Sequence, residues 1–217
     1  RTVRKASTAP KLAIIYWYTE KEELEDLYYL SIRHGIENRA HQLNMEVAKY
    51  VYDDIDDASF EDCVGIIAVG KFSPKQVEYL KNHAEHVVFV DCCPDENIFD
   101  AIVVDFEKVT KTIIDYFIQK NHTAIGFLGV REWYKDRFSE IEDPREKTFR
   151  NYMKELNLFR ESYLYIGSFS VQDGYQMMKK AIEDHGENLP TAFFCANDSI
   201  AIGALRALLE ENIPVPE

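Results

Sequence analysis

Short apolar runs alternate with segments of helical period along most of this 217-residue chain. Residues 12–18 form the first apolar run, and apolar side chains then recur at three- and four-residue steps from Leu24 to Leu43. Strands joined by crossover helices give this alternation, because each helix returns the chain to the start of the next parallel strand. The sequence therefore predicts an α/β fold of doubly wound parallel sheets.

The same alternation continues to the end of the sequence. Further strands are predicted at residues 45–50, 64–69, 87–91, 101–104, 124–128, 163–166 and 191–195. Further helices are predicted at residues 74–82, 108–119, 144–156, 171–185 and 199–211. We expect two similar lobes, residues 11–128 and residues 129–217, preceded by a hinge or linker remnant at residues 1–10.

Composition restricts the partners and the compartment. The formal net charge of −13 opposes non-specific binding to phosphate backbones, so any contact with DNA would need another segment. The four cysteines include an adjacent pair, Cys92 and Cys93, which suits neither a disulfide framework nor a zinc site, and reduced thiols are expected. Neither a secretory signal nor a membrane-spanning stretch is found, which predicts a cytoplasmic protein with no membrane partner.

One segment comes close to an enzyme motif. Residues 65–71 copy most of the spacing of a phosphate-binding loop, but Phe72 stands where a magnesium-binding Ser or Thr is needed. The residues between the two glycines are also strongly β-forming, whereas that loop must turn its amides inward. The sequence contains no serine-hydrolase elbow, zinc-protease motif or dinucleotide fingerprint either. We therefore expect no catalytic residue, no cofactor and no metal.

Arg145 is the first candidate for a binding residue. Ligands of open α/β sheets bind beyond the carboxyl ends of the strands, so residues in those positions are the ones to consider. Arg145 lies in the first turn of a helix capped by Asp143, where a cation opposes the helix dipole. Its fork of donors suits sugar hydroxyls or a carboxylate, and a salt bridge with Glu142 or Asp143 is the structural alternative.

Other candidates also follow predicted strands. Phe169 either fills the core or offers a flat apolar face to a ligand. One of Asn197 and Asp198 should cap the helix that follows, which leaves the other to point elsewhere. The aromatic residues 16–18, together with the tyrosines at 28–29, form either a sugar-binding wall or an ordinary packing cluster.

Several stretches resemble the effector domain of the lactose/galactose repressor (LacI/GalR) family. Residues 120–129 look like the strand entry of that family, and residues 145–149 match its R-x-x-G-F segment except that Thr148 replaces the glycine. Residues 194–204 are close to its most recognisable stretch. The resemblance is specific in the second lobe and looser in the first. It is nearest to streptococcal and lactobacillar regulators of galactoside and raffinose-type sugar use.

The resemblance implies a two-lobed fold like that of class I periplasmic binding proteins, with an effector in the cleft. Arg145 would hold effector hydroxyls, Asn197 would add a polar contact, and Phe169 would stack on the sugar. Tyrosines of the first lobe would line the cleft, and Asp105 would lie beside a crossover that transmits lobe closure. The full set of implied effector-binding residues is Tyr18, Tyr28, Tyr29, Asp105, Arg145, Phe169 and Asn197.

The expected function is that of a sugar-responsive transcriptional regulator. The resemblance implies a galactoside or related saccharide as effector, a homodimer, and operator DNA bound through an N-terminal helix-turn-helix that is absent from this sequence. It also implies that the C-terminal lobe is incomplete, since the family continues beyond residue 217 into another strand. A periplasmic-type sugar-binding protein and a nucleotide-binding α/β enzyme are the alternatives.

Overall fold

The computed structural model describes residues 9–25, 27–52, 60–135 and 139–216. Most of the predicted linker at residues 1–10 therefore lies outside the described residues. The chain divides into two compact units. The first unit runs to Val104 and includes Tyr134 and Lys135, and the second begins at Asp105 and contains the rest of the described chain.

The described residues of the first unit form five strands and three α-helices. In chain order they are β1 (Lys11–Tyr16), α1 (Glu20–Glu25), α2 (Leu27–Gln42), β2 (Glu46–Val51), β3 (Cys63–Val69), α3 (Pro74–His83), β4 (Val87–Val90) and β5 (Asp100–Ile102). The strands form one parallel sheet in the order β2-β1-β3-β4-β5. Strand β1 pairs on both sides, and Ala13, Ile14 and Ile15 within it are fully buried.

The described residues of the second unit form the remaining strands and α-helices, together with two short 3-10 helices at Glu161–Tyr163 and Gly186–Asn188. The strands and α-helices are α4 (Phe106–Gln119), β6 (Ile125–Val130), β7 (Glu132–Trp133), β8 (Glu140–Ile141), α5 (Pro144–Glu155), β9 (Leu164–Gly167), α6 (Val171–His185), β10 (Ala192–Cys195) and α7 (Asp198–Glu210). Its parallel sheet has the order β10-β6-β9, and β7 and β8 form a separate antiparallel pair.

Strand β6 is the centre of the second unit, and all six of its residues are buried. On one face of the sheet, Phe127 packs with Ile114 of α4 and Phe149 of α5. On the other face, Leu128 packs with Met178 of α6 and Ile200 of α7. Helices cover both faces of a parallel sheet, so the predicted doubly wound α/β class is confirmed.

The division between the units lies at Val104/Asp105, earlier than the predicted seam at residue 129. Helix α4 accounts for the difference, because its Ile114 belongs to the same core cluster as Phe127. The helix is further tied to α5 by a hydrogen bond from the Tyr152 hydroxyl to Asp115 at 2.7 Å. Alternation along the chain shows that a helix follows a strand, but tertiary packing decides which sheet that helix covers.

The four cysteines are free thiols, as expected, and burial raises the pKa of Cys92 to about 12 and that of Cys195 to about 11. Within the described ranges, no helix combines the length and the apolarity that a bilayer crossing requires.

Helices α6 and α7 approach each other backbone to backbone. A Cβ placed on Gly203 would lie 2.0 Å from the carbonyl oxygen of Val171, and one placed on Gly174 would lie 2.3 Å from that of Ile200. These contacts involve main-chain atoms, which have little freedom to move aside. Glycine is therefore required at both positions by the close packing of the two helices.

We expect Gly203→Ala to lower the free energy of unfolding by about 1–3 kcal/mol, the usual cost of overpacking a core. Gly35→Ala is the matched control, since a Cβ there meets nothing within 4 Å on α2. Alanine is the better helix former, so the control should raise the free energy of unfolding by about 0.5–1 kcal/mol. Urea denaturation measures both, and equal effects of the two substitutions would contradict the packing argument.

Candidate functional site

The Arg145 side chain is held by Asp143 at the start of α5. One carboxylate oxygen of Asp143 accepts hydrogen bonds from the Arg145 backbone N–H at 2.8 Å and from Nε at 2.9 Å. The other accepts from Nη2 at 2.9 Å. The salt-bridge alternative therefore describes the Asp143–Arg145 pair in this structure, whereas Glu142 pairs with Lys147 instead.

Three further groups position the guanidinium of Arg145. Its Nη1 donates to the carbonyl oxygen of Ala196 at 2.7 Å, directly after strand β10. Its Cζ lies 5.1 Å from the centre of the Phe106 ring and 5.8 Å from that of Phe169. Both distances are within the range of cation–π attraction. Arg145, Asp143, Phe106 and Phe169 thus form one cluster at the carboxyl edge of the second sheet, which we call the arginine cluster.

Asn197 lies next to this cluster and caps helix α7. Its side-chain oxygen accepts a hydrogen bond from the Ile200 backbone N–H at 2.9 Å, while Asp198 is exposed in the first helical position. The expectation that one of the two residues is the cap is therefore met by Asn197. Capping uses only its oxygen, and among the described residues the amide nitrogen makes no hydrogen bond, so it can serve a second contact.

Phe169 and Asp105 have evident structural roles. Phe169 is half-buried and packs against the core cluster that contains Leu128 and Ile200, while its ring also faces Arg145. Asp105 is exposed and caps α4, accepting a hydrogen bond from the Lys108 backbone N–H at 2.9 Å. The cap at Asp105 fixes the start of α4 and so positions the adjacent Phe106.

The first unit has its own polar cluster at the end of β4. The hydroxyls of Tyr28 and Tyr29 donate to the two carboxylate oxygens of Asp91, each at 2.7 Å. Asp91 has a backbone φ of 71°, an uncommon conformation directly after the strand. The two tyrosines therefore meet at a carboxylate that sequence reasoning did not single out.

Tyr18 is mainly a packing residue. Its ring centre lies 4.5 Å from that of Tyr29, and its hydroxyl makes only a long contact of 3.5 Å with the Tyr29 carbonyl oxygen. The side chain is buried, and this burial raises the pKa of the phenol well above its ordinary value. Of the three tyrosines, Tyr28 is the most exposed to solvent.

The second unit also contains a groove of about 370 Å³ along the outer side of α5. It includes Asp143 but not Arg145, Phe169 or Asn197, and paired charges such as Arg131 with Glu140 line it. Across the parts of the chain that the structure describes, no three His, Cys, Asp or Glu side chains are grouped to hold a metal ion.

The chain is similar to known regulators over nearly its full length. It is 38% identical to the HTH-type transcriptional regulator GanR of Bacillus subtilis (strain 168) over 217 residues, covering 98% of this chain and 66% of that protein. It is also 38% identical to the HTH-type transcriptional regulator GalR of Streptococcus thermophilus, covering 95% of this chain and 62% of that one. The chain belongs to the lactose/galactose repressor (LacI/GalR) family. It spans about two thirds of the length of these relatives.

Solved structures of LacI-family regulators share the fold of this chain. Residues 114–217 match the family model described as a periplasmic binding protein-like domain. The lac repressor dimer bound to operator and the anti-inducer ONPF superposes with a TM-score of 0.77 at 17% identity, over 96% of this chain and 72% of that chain. A LacI family regulator from Lactobacillus casei with bound sucrose gives 0.77 at 17% identity, over 96% and 76%. This LacI-family chain therefore has the fold of the family's effector-binding domains.

We expect Asp143→Ala to lower the free energy of unfolding of this LacI-family chain by about 1–3 kcal/mol. The substitution removes a helix cap and also the charge-assisted bonds of a guanidinium that is only 13% exposed. Asp105→Ala is the control, because Asp105 supplies an exposed cap without an ion pair to arginine. Thermal and urea unfolding measure both variants. An equal loss in the free energy of unfolding would contradict the dual role of Asp143 as helix cap and ion-pair partner.

Proposed function

We propose that this chain is the effector-binding and dimerisation core of a sugar-responsive transcriptional regulator. The observation that supports this most strongly is the arginine cluster, with Asn197 beside it, at the edge of a parallel sheet where ligands of such folds bind. The effector would be a galactoside or a related saccharide. Operator DNA would be bound by an N-terminal helix-turn-helix outside this sequence, in the cytoplasm.

The chemistry of the arginine cluster suits a neutral sugar. Asp143 supplies carboxylate acceptors and Arg145 supplies guanidinium donors side by side, so neighbouring hydroxyls can both donate and accept there. The amide nitrogen of Asn197 adds a further donor. The ring of Phe169 provides an apolar face for the C–H side of a pyranose. In the first unit, the Tyr28 hydroxyl and the Asp91 carboxylate offer a second polar surface of the same character.

Regulation needs only binding and no catalytic step. A saccharide stabilises the conformation of the core that binds it more tightly. The free energy of binding to operator DNA then changes by the coupling free energy between the two sites. The names of the relatives support this function over the two alternatives, a periplasmic sugar-binding protein and a nucleotide-binding enzyme.

We expect Arg145→Ala to weaken saccharide binding at least a hundredfold, since removal of charge-assisted hydrogen bonds costs about 1.5–3 kcal/mol each. Calorimetric titration with galactose, lactose, melibiose and raffinose measures the effect. Arg150→Ala is the control, because Arg150 lies on the same helix but pairs with Glu146 and Glu161. The site assignment fails if Arg145→Ala binds sugar as the unaltered protein does.

The homodimer would use helix α7. Ile202, Leu205 and Leu209 lie three and four residues apart on this helix and are 60%, 42% and 60% exposed. They form a continuous apolar stripe, which a monomer would leave in contact with water. A second copy of the chain is the expected occupant, since the lac repressor of the same fold was crystallised as a dimer.

We expect Ile202→Glu to convert the dimer into monomer at micromolar concentration, because it places a charge in the centre of an apolar interface. Val109→Glu is the control, since Val109 is also an exposed apolar residue, at 42%, but lies on α4. Sedimentation equilibrium distinguishes the two species. A dimer that survives Ile202→Glu would exclude the α7 stripe as its interface.

A further inference from the structure

Trp17 lies in an unusual position at the end of β1. The Cδ1 edge of its indole lies against the backbone of Gly70, where a Cβ would approach within 1.6 Å of the ring. The side chain is 8% exposed, and Nε1 has no hydrogen-bond partner among the described residues. Gly70 has a φ of 114°, so the absence of a side chain allows both this backbone conformation and the close approach of the ring. The indole is thus fixed in one orientation by the first unit.

Lys135 covers this indole. Its Nζ lies 5.3 Å from the centre of the Trp17 ring and forms an ion pair with Oε1 of Glu22. The other carboxylate oxygen of Glu22 accepts from the backbone N–H of Thr19 at 2.8 Å and from its hydroxyl at 2.9 Å. Glu22 is thereby fixed in position, and it holds the ammonium over the ring.

Glu22 remains ionised while it anchors Lys135. Burial of the carboxyl opposes ionisation, but the hydrogen bonds from Lys135 and Thr19 outweigh it and lower the pKa of Glu22. A carboxylate that loses Lys135 would still keep the two bonds from Thr19. It would then be an ordered acceptor beside an uncovered indole face.

We propose that Trp17 is a saccharide-stacking platform of the first unit and that Lys135 is its displaceable cover. The proposal rests on the sugar-binding function proposed above. An indole face binds a cation and the C–H face of a pyranose through the same π electrons, so the two compete for one surface. Both interactions of Lys135 are partly exposed and therefore weak, so a sugar can replace the ammonium.

Hydrogen-bond acceptors accompany the indole face of Trp17 in the first unit. Tyr29 meets the indole edge on at 6.4 Å between ring centres, and its hydroxyl is bonded to Asp91. The carboxylates of Glu22 and Asp91 belong to the same unit as this indole face. Acceptors near an apolar ring match the hydroxyls and the C–H face of a pyranose.

Lys135→Ala tests the cover. The variant removes a competitor of the ligand, so saccharide affinity should rise about three- to thirtyfold in calorimetric titrations with galactose, lactose and melibiose. Glu22→Gln should give a smaller rise, because Lys135 loses its anchor but keeps its charge. Lys120→Ala is the matched control, since Lys120 lies 5.7 Å from the Tyr116 ring in the second unit and should leave the affinity unchanged. An unchanged or lower affinity in Lys135→Ala would overturn the proposal.

A fluorescence measurement locates the platform. The chain has two tryptophans, so Trp133→Phe leaves Trp17 as the single emitter. In that background, Lys135→Ala should increase quenching of Trp17 by acrylamide, and saturating saccharide should decrease it again. Saccharide that binds without protecting Trp17 would show that the sugar lies elsewhere.

The outcomes separate this proposal from the function on which it rests. If sugars bind and Arg145→Ala abolishes binding, but Lys135→Ala has no effect, only the cover proposal fails. If neither the unaltered chain nor Lys135→Ala binds any of the sugars, both proposals fail together. Binding that is detectable only in Lys135→Ala would support both.

Discussion

Parallel pairing of strands is the constraint on which the site depends. In the second unit β6 pairs with β9 on one side and β10 on the other, in the same direction, so the carboxyl ends of all three strands meet at one edge. The side chains that follow these strands are far apart in sequence, as Phe169 and Asn197 are. They come together because the sheet has one direction, and Arg145 reaches Ala196 at the end of β10 for the same reason.

Asp143 compensates two unfavourable electrostatic effects at that edge of the sheet. A cation in the first turn of α5 is disfavoured by the helix dipole, and a guanidinium that is mostly buried requires a counter-charge. Asp143 satisfies both requirements, because it accepts from the α5 backbone and from two guanidinium nitrogens at once. The ring of Phe106 adds a contact from α4, whose start is set by the Asp105 cap. The orientation of Arg145 is therefore determined by groups from four segments of the chain, which contain Asp143, Phe106, Phe169 and Ala196.

The sequence predicted the fold class and most elements because buried parallel strands and amphipathic helices have strong periodic patterns. It also predicted which residues follow the strands, which is why Phe169 and Asn197 could be named. Phe106 was missed because the periodicity placed the start of its helix at residue 108, whereas the helix begins at Phe106. The pair β7 and β8 was missed because strands of two residues carry no period. Contacts such as Tyr28 with Asp91 join distant segments, and no local pattern encodes them.

The charges around Arg145 and Lys135 bear on the class of sugar that the proposed function would involve. Arg145 is paired with Asp143, and Lys135 is paired with Glu22. A phosphorylated sugar would bring two negative charges beside carboxylates that already balance these cations, in a chain whose net charge is −13. A neutral saccharide meets no such repulsion, and its hydroxyls can share the donors and acceptors of each pair. For the sugar-binding function proposed above, charge pairing therefore favours neutral saccharides over sugar phosphates, even though the cations alone would suggest the opposite.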